Sequence, residues 1–362
     1  MMNITNELIL EKLKTVIDPD SGVDYVTQKS VKNVTVNGHQ VQIDIQLGYP
    51  AASQHQAIQQ QVTEALLGIE GVKEAVCQID TQIIAHQAQK GIATLPKIKN
   101  IIAVASGKGG VGKSTTASNL ALALSAEGAR VGILDADIYG PSQAMMMGIT
   151  DKPRSEDGET MEPLVSHNIQ VMSIGLLVDP DSALIWRGPM TKKALEQMLH
   201  QTNWKDLDYL IVDMPPGTGD VALTLAQEVP ITGGIIVTTP QDIALLDAHR
   251  GLKMFEQVEI NILGIIENMS IHICSQCGHA EHIFGEGGGQ KMSEKDGVDY
   301  LGGLPLALSI REQADSGAPT VVAEPQSAIA QAYMGIARKV AAKIALLPKD
   351  YSSIMPKVKV QP

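Results

Sequence analysis

The chain has little cysteine, no excess of positive charge and no long apolar run. Its three cysteines, in 362 residues with no export signal, are not a disulfide framework. Lys and Arg number 28 against 40 Asp and Glu, a net charge of −12. That balance argues against a nucleic-acid surface. No apolar run approaches the ~18 residues needed to span a bilayer. The opening residues, Met1-Met2-Asn3-Ile4-Thr5-Asn6-Glu7, have neither a cationic head nor an apolar signal core. A cytoplasmic protein with no membrane and no nucleic-acid partner is expected. The hydrophobic fraction of 44% is that of a soluble globular protein.

What is present is organised around Ser106-Gly107-Lys108-Gly109-Gly110-Val111-Gly112-Lys113-Ser114-Thr115. An apolar run, Ile101 to Ala105, precedes it and a helical pattern follows. This is the G-x-x-x-x-G-K-[ST] phosphate loop between a strand and a helix. Its glycines let backbone N–H groups converge on phosphate oxygens, and the helix N-terminus behind them favours an anion. The spacing assigns Lys113 to the β- and γ-phosphates of ATP and Ser114 to Mg2+. Lys108 is a second lysine that the loop's backbone does not need. It is either a solvated side chain or a charge presented across a dimer to a second nucleotide, as an arginine finger acts in trans.

Ahead of this motif, residues 1–80 read as a small α-β-β-α-β domain. Ile9, Leu13, Val16 and Ile17 have helical spacing, and Asn37-Gly38 marks a hairpin. Val41, Ile43, Ile45 and Leu47 alternate as in a strand, and Ile58, Val62 and Leu66 share a helix face. Cys77 lies in the apolar phase of a last strand, which favours burial. Residues 81–97 lack periodicity and read as a linker. The main α/β domain spans 98–348, with a proline-broken tail at 349–362.

After the phosphate loop, Val131 to Leu134 reads as a buried parallel strand. It delivers Asp135-Ala136-Asp137-Ile138-Tyr139-Gly140-Pro141-Ser142 to the strand end where ligands gather in such sheets. Asp137 is assigned to orient the attacking water and Asp135 to shape the surroundings of Mg2+; the plainer alternative is that both cap a turn. Tyr209-Leu210-Ile211-Val212-Asp213 is a second buried strand ending in a carboxylate, the Walker B pattern, so Asp213 reaches Mg2+ through water. Met214-Pro215-Pro216-Gly217-Thr218-Gly219 has the glycines of a loop that senses the γ-phosphate. Asp242 is placed as the cap of a following helix. Ile310 to Asp315 are expected to help close the nucleotide pocket.

Cys274-Ser275-Gln276-Cys277 supplies two thiolates and cannot complete a four-ligand site. Three readings compete: a redox dithiol, zinc completed by His279 and His282, and a 4Fe–4S cluster shared by two such pairs across a two-fold dimer. The dimer reading agrees with a trans-acting Lys108.

Several of these strings resemble one family. The phosphate loop with Lys108 resembles the deviant Walker A group, the MinD, ParA, arsenite-pump and nitrogenase-iron-protein relatives, where that lysine marks an ATP-sandwich dimer. Together with Asp135 to Ser142, Trp186-Arg187-Gly188-Pro189-Met190, Asp213 to Gly219, Glu267-Asn268-Met269-Ser270 and the cysteine pair, it resembles the Mrp/ApbC iron–sulfur carrier family. The segment 1–80, with Asp18-Pro19-Asp20, resembles the iron–sulfur-assembly domain often fused ahead of such ATPases. It lacks the cysteine that often follows the second strand there, since Leu47-Gly48-Tyr49-Pro50-Ala51-Ala52 stands in its place.

The resemblance implies a P-loop NTPase fold with a mostly parallel, doubly wound sheet behind the small α-β-β-α-β domain. It implies a homodimer that hydrolyses ATP and passes an iron–sulfur cluster to recipient apoproteins, with assembly scaffolds as further partners. It makes residues 135–142 switch I and gives Asn268 the adenine base, against an Asx-turn as the local alternative. Two other functions stay open: a MinD/ParA-like positioning ATPase without a cluster, and an ATP-gated assembly scaffold whose cysteine loop is held by zinc.

Overall fold

The alternation at 41–47 and the helical stripe at 58–66 meet in a small sheet covered by two helices. The computed structural model describes residues 4–89, 92–177, 188–274 and 276–350. Helix α1 (Asn6–Leu13) is capped by Thr5, whose hydroxyl accepts from the Leu8 amide at 3.3 Å. It stops before Val16, which is buried just past the closing turn. Strands β1 (Val31–Asn37) and β2 (Gln40–Leu47) form the antiparallel hairpin, turning at Gly38 with φ +62°. Helix α2 (His55–Leu67) crosses over to β3 (Glu74–Thr81), which lies parallel to β2. The expected α-β-β-α-β order is present. Ile43, Ile45 and Leu47 are buried with Ile9, Leu13, Ile58, Val62 and Leu66.

Among its described residues the stretch between β3 and the next strand has no regular element, yet Ile83, His86 and Gln89 are buried. It is strapped to the far end of the chain, with the Gln87 amide donating to Pro348 O at 2.9 Å. Gln89 Nε2 donates to the carbonyls of Ala226 and Val258, both at 2.8 Å.

The larger unit begins with β4 (Ile98–Ala105), α3 (Lys113–Ala126), β5 (Val131–Asp135) and the short α4 (Gln143–Met146). Next come β6 (Leu164–Ser166), β7 (Ile169–Ser173), α5 (Gly188–His200), β8 (Leu207–Asp213) and α6 (Asp220–Glu228). Then follow β9 (Gly233–Thr238), α7 (Asp242–Gln257), β10 (Ile262–Glu267), β11 (His272–Ile273) and β12 (Ala280–Glu281). The rest is α8 (Gly288–Asp296), β13 (Tyr300–Gly303), α9 (Leu308–Asp315), α10 (Thr320–Ala323) and α11 (Ala328–Ala345).

Eight of these strands form one sheet in the order β13-β10-β9-β4-β8-β5-β7-β6. Every neighbouring pair is parallel except the edge pair β6 and β7. From β4 the chain first builds towards β5 and β7, and later towards β9, β10 and β13. That reversal opens a crevice at the carboxyl end of β4, where this sheet type binds ligands. Strands β6, β7 and β13 were not anticipated. Asp242 does not cap α7: the capping position is Gln241, and Asp242 lies in the first turn. Trp186, Arg187 and the tail 351–362 lie outside the described residues.

The two units share one apolar cluster, which runs from Ile9 and Leu47 to Ala121 of α3 and Val340 of α11. An ion network crosses the same boundary. Arg338 of α11 donates to Asp20 at 3.1 Å and to Glu127 at 2.6 Å. Glu127, the C-cap of α3, also accepts from the Ser53 hydroxyl at 2.6 Å and its amide at 2.9 Å. Helix α3 therefore has the phosphate loop at one end and the small domain at the other.

Candidate nucleotide site and thiol pair

The phosphate loop follows β4 without a break, because the buried strand ends at Ala105 and Gly112 is the N-cap of α3. Two of its glycines are required by close approach. A Cβ on Gly107 would lie 2.0 Å from the carbonyl carbon of Asp247 on α7. A Cβ on Gly112, where φ is +80°, would lie 2.1 Å from Asn268 Nδ2. The cavity over the loop measures about 240 Å3 and is lined by Lys108, Lys113, Ser114, Thr115, Asp137 and Ser142, among others. Residues 310–315 do not line it; α9, which carries them, packs on α4 instead.

Lys113 and Asp213 form a buried ion pair, and Lys113 Nζ lies 3.1 Å from Ser114 Oγ. The other carboxylate oxygen of Asp213 accepts from Gln143 Nε2 at 2.8 Å. Gln143 is fully buried and was missed by sequence reasoning. The quoted string Asp135 to Ser142 stops one residue short of it. The only local signal is a polar amide ahead of the apolar run Ala144-Met145-Met146-Met147.

Asp135 and Asp213 are register partners at the ends of β5 and β8. Burial, and then the neighbouring charge of Asp213, push the Asp135 carboxyl up to about 7. Both of its oxygens are engaged by the protein. Oδ1 accepts from the Asp137 amide at 3.2 Å, and Oδ2 from the amides of Ser142 and Gln143 at 3.0 Å and from Ser173 Oγ at 2.9 Å. These bonds fold the loop so that Asp137 meets the cavity. Burial holds the Asp137 carboxyl above its ordinary value, opposed by Lys113.

Lys108 is half-buried and makes no ion pair among the described residues. Asn268 ends β10. Its amide nitrogen donates to Val111 O at 2.8 Å, so this side chain ties the phosphate loop to the neighbouring strand. A second N–H and the amide oxygen remain on the same group.

Cys274 and Cys277 sit at the tip of a small hairpin formed by β11 and β12. The Gly278 amide donates to Cys274 O at 2.8 Å, and the Cys274 amide to His279 O at 2.9 Å. Cys277 is exposed and Cys274 half-buried. Amides of Gln276 and Cys277 hold the Cys274 thiol below its ordinary value. His282 Nδ1 lies 2.7 Å from Ser270 O. Among the described residues no three His, Cys, Asp or Glu side chains are gathered to hold a metal, so the zinc site with His279 and His282 is not formed. Cys77 is buried, as its strand phase predicts, and burial pushes its thiol up to about 12.

Residues 97–341 match the model of the NUBPL iron-transfer P-loop NTPase family. The chain belongs to that family. Residues 6–76 match the model of an iron–sulfur cluster assembly protein. This NUBPL-family NTPase is 58% identical over 275 residues to an iron–sulfur cluster carrier protein of Pseudomonas fragi, covering 75% of this chain and 96% of that one. It is 48% identical over 286 residues to the mouse iron–sulfur cluster transfer protein NUBPL, covering 78% and 89% of the two chains. A solved nucleotide-binding protein from Archaeoglobus fulgidus, in complex with ADP, shares 36% identity at a TM-score of 0.56, covering 64% of this chain and 90% of that one. The MinD cell-division ATPase of Pyrococcus furiosus has the same fold, with 21% identity and a TM-score of 0.52 over 67% of this chain and 98% of that one.

The NUBPL-family NTPase is therefore an ATPase, and its crevice has the parts that reaction needs. The loop residues and Lys113 line the cavity and offer it donors that suit phosphate oxygens. For Mg2+, which takes oxygen ligands, the Ser114 hydroxyl and the Asp213 carboxylate are both at hand, and the donor set fits. Among the described residues neither Lys113 nor Asp213 makes a second ion pair.

Proposed function

We propose that the protein is an ATP-dependent carrier that holds a 4Fe–4S cluster between two copies and passes it to recipient apoproteins. The cluster is cargo, held by Cys274 and Cys277 of each copy. The observation that carries this reading is the hairpin tip itself: two thiols, one activated and one exposed, with no third ligand gathered beside them among the described residues. Such a pair is half of a four-thiolate site, and a two-fold axis supplies the other half. Exposed Ile273 and Ile283 flank the tip, and Ile243 and Leu246 are exposed on α7, apolar side chains available for burial against a second copy.

In the ATPase cycle, Ser114 and Asp213 would hold Mg2+, which would supply positive charge against the phosphates. Lys113 leaves Asp213 for the phosphates. Ser114 and Asp213 then face the metal. Asp137, held in place through the Asp135 bonds, orients the attacking water. Lys108 of one copy stabilises phosphate charge in the other. Asn268 reads the adenine. The loop at 214–219 links nucleotide state to the rest of the molecule, and the work takes place in the cytoplasm.

The test is anaerobic cluster reconstitution of the wild type and of Cys274→Ala/Cys277→Ala, with iron and sulfide per chain and mass in solution recorded. About four irons per dimer, lost in the variant, support the reading. Cysteine-independent iron, or none, overturns it.

A further inference from the structure

Gln143 is a buried amide whose three hydrogen bonds join the two halves of the nucleotide site. Its nitrogen donates to Asp213 Oδ2 at 2.8 Å and to Ser114 O at 3.0 Å, and its oxygen accepts from Ser118 Oγ at 2.6 Å. Ser114 and Ser118 lie on α3, Asp213 ends β8, and Gln143 itself follows the loop that carries Asp137. Its backbone amide donates to Asp135 at 3.0 Å. Gln143 thus joins α3 to the end of β8 through its side chain, and joins both to Asp135 through its backbone amide.

The two oxygens of Asp213 have different donors. One is paired with Lys113, which must move to the phosphates when nucleotide arrives. The other is held by Gln143, which has no competing anion to follow, being neutral and fully buried. A carboxylate held at one oxygen by a fixed donor keeps the other oxygen aimed at the metal. We propose that Gln143 is the positioning residue that fixes Asp213 for Mg2+ and couples the Asp137 loop to the metal site. The inference rests on the reading of Asp213 as the carboxylate that serves Mg2+.

The experiment measures two affinities on the full chain. A fluorescent ADP analogue is titrated in excess chelator, and Mg2+ is then titrated into the preformed complex. Gln143→Met keeps the length and removes both polar ends. Its expected signature is Mg2+ affinity about tenfold weaker with chelator-bound nucleotide affinity within twofold of wild type, the range found when supporting partners of metal ligands are lost. Gln143→Glu keeps the acceptor for Ser118 but sets a carboxylate against Asp213. The charged groups around position 143 are Asp213, Lys113, Asp135 and Asp137. The Glu variant should also bind Mg2+ more weakly than wild type, because it loses the donor to Asp213 while keeping the length of the side chain. Asp213→Asn separates the two readings. If it leaves Mg2+ affinity unchanged, the role of Asp213 fails. If it weakens Mg2+ while Gln143→Met does not, the role of Gln143 fails alone. Equal loss of both affinities in Gln143→Met also overturns the proposal and leaves a packing role.

Discussion

Lys113 and Asp213 neutralise each other inside the site, with 6% and 0% of their side chains exposed. A charge removed from water to this degree persists only when paired. The lysine that receives phosphate is thus stored on the carboxylate that serves the metal, and nucleotide binding exchanges one partner for another. Asp213→Asn removes the competitor. We expect this variant to bind ADP in excess chelator about three- to tenfold more tightly than wild type, an effect of about 1 kcal/mol, while its gain on adding Mg2+ falls. Isothermal titration with and without Mg2+ reads both changes. Weaker binding in chelator would refute the competition.

Ser142 supports a second prediction. Its hydroxyl is buried beside the nucleotide cavity and has no hydrogen-bond partner among the described residues. An unsatisfied buried group costs about 1–3 kcal/mol, so such an orphan needs a partner from elsewhere. Bound nucleotide is the partner this cavity offers. Ser142→Ala should leave the nucleotide-free protein as stable as wild type or slightly more so. The thermal stabilisation gained from Mg-ATP should shrink, with turnover several-fold lower. Thermal unfolding with and without nucleotide separates the two effects, and an unchanged gain would reject the assignment.

Local patterns made much of this site readable in advance. An apolar run, a glycine loop and a helix fix one another, so β4, the phosphate loop and α3 were legible, as was Asp213 at the end of an unbroken apolar strand. Strands β6 and β7 were not, because three and five residues in a polar surround carry too little periodicity. Gln143 was invisible for a different reason. Its role depends on a carboxylate 70 positions away, and no spacing within its own segment announces that. Asp135 was recognised as important, yet its four donors come from the loop after β5 and from β7, an element that periodicity did not reveal. The thiol pair was legible as chemistry, while its exposure on a hairpin tip required the fold.

The bond between Arg338 and Asp20 spans 318 positions, and Arg338 also holds the fully buried Glu127. Removing one partner of a buried ion pair strands the other, at a cost of about 3–5 kcal/mol. Arg338→Leu should therefore lower unfolding free energy by about 3 kcal/mol, with the small domain released before the larger one. Chemical denaturation followed by Trp204 fluorescence in the larger unit, and by proteolysis within 1–80, would reveal the split. A single unchanged transition would show that the apolar contact alone joins the units. Glu127→Gln keeps the acceptor for Ser53 and should lose less than Arg338→Leu.

The cysteines give a prediction with a defined pH sign. Thiolate is the reactive form, and backbone amides hold the Cys274 thiol below its ordinary value, so its thiolate persists to lower pH. Cys77 has the opposite setting, buried and pushed up to about 12. With cluster absent and reductant present, iodoacetamide should label Cys274 first between pH 6.5 and 8, and its rate should level off at lower pH than that of a free thiol. Cys77 should stay unlabelled until the protein unfolds. In Cys277→Ala, Cys274 loses the side-chain donor that Cys277 supplies but keeps both amides, so its rate profile should move to higher pH only slightly. Peptide mass mapping over a pH series measures all three. A Cys274 profile equal to that of an unfolded peptide would mean that the hairpin does not activate the thiol, and the chemical case for a preformed half-site would fall with it.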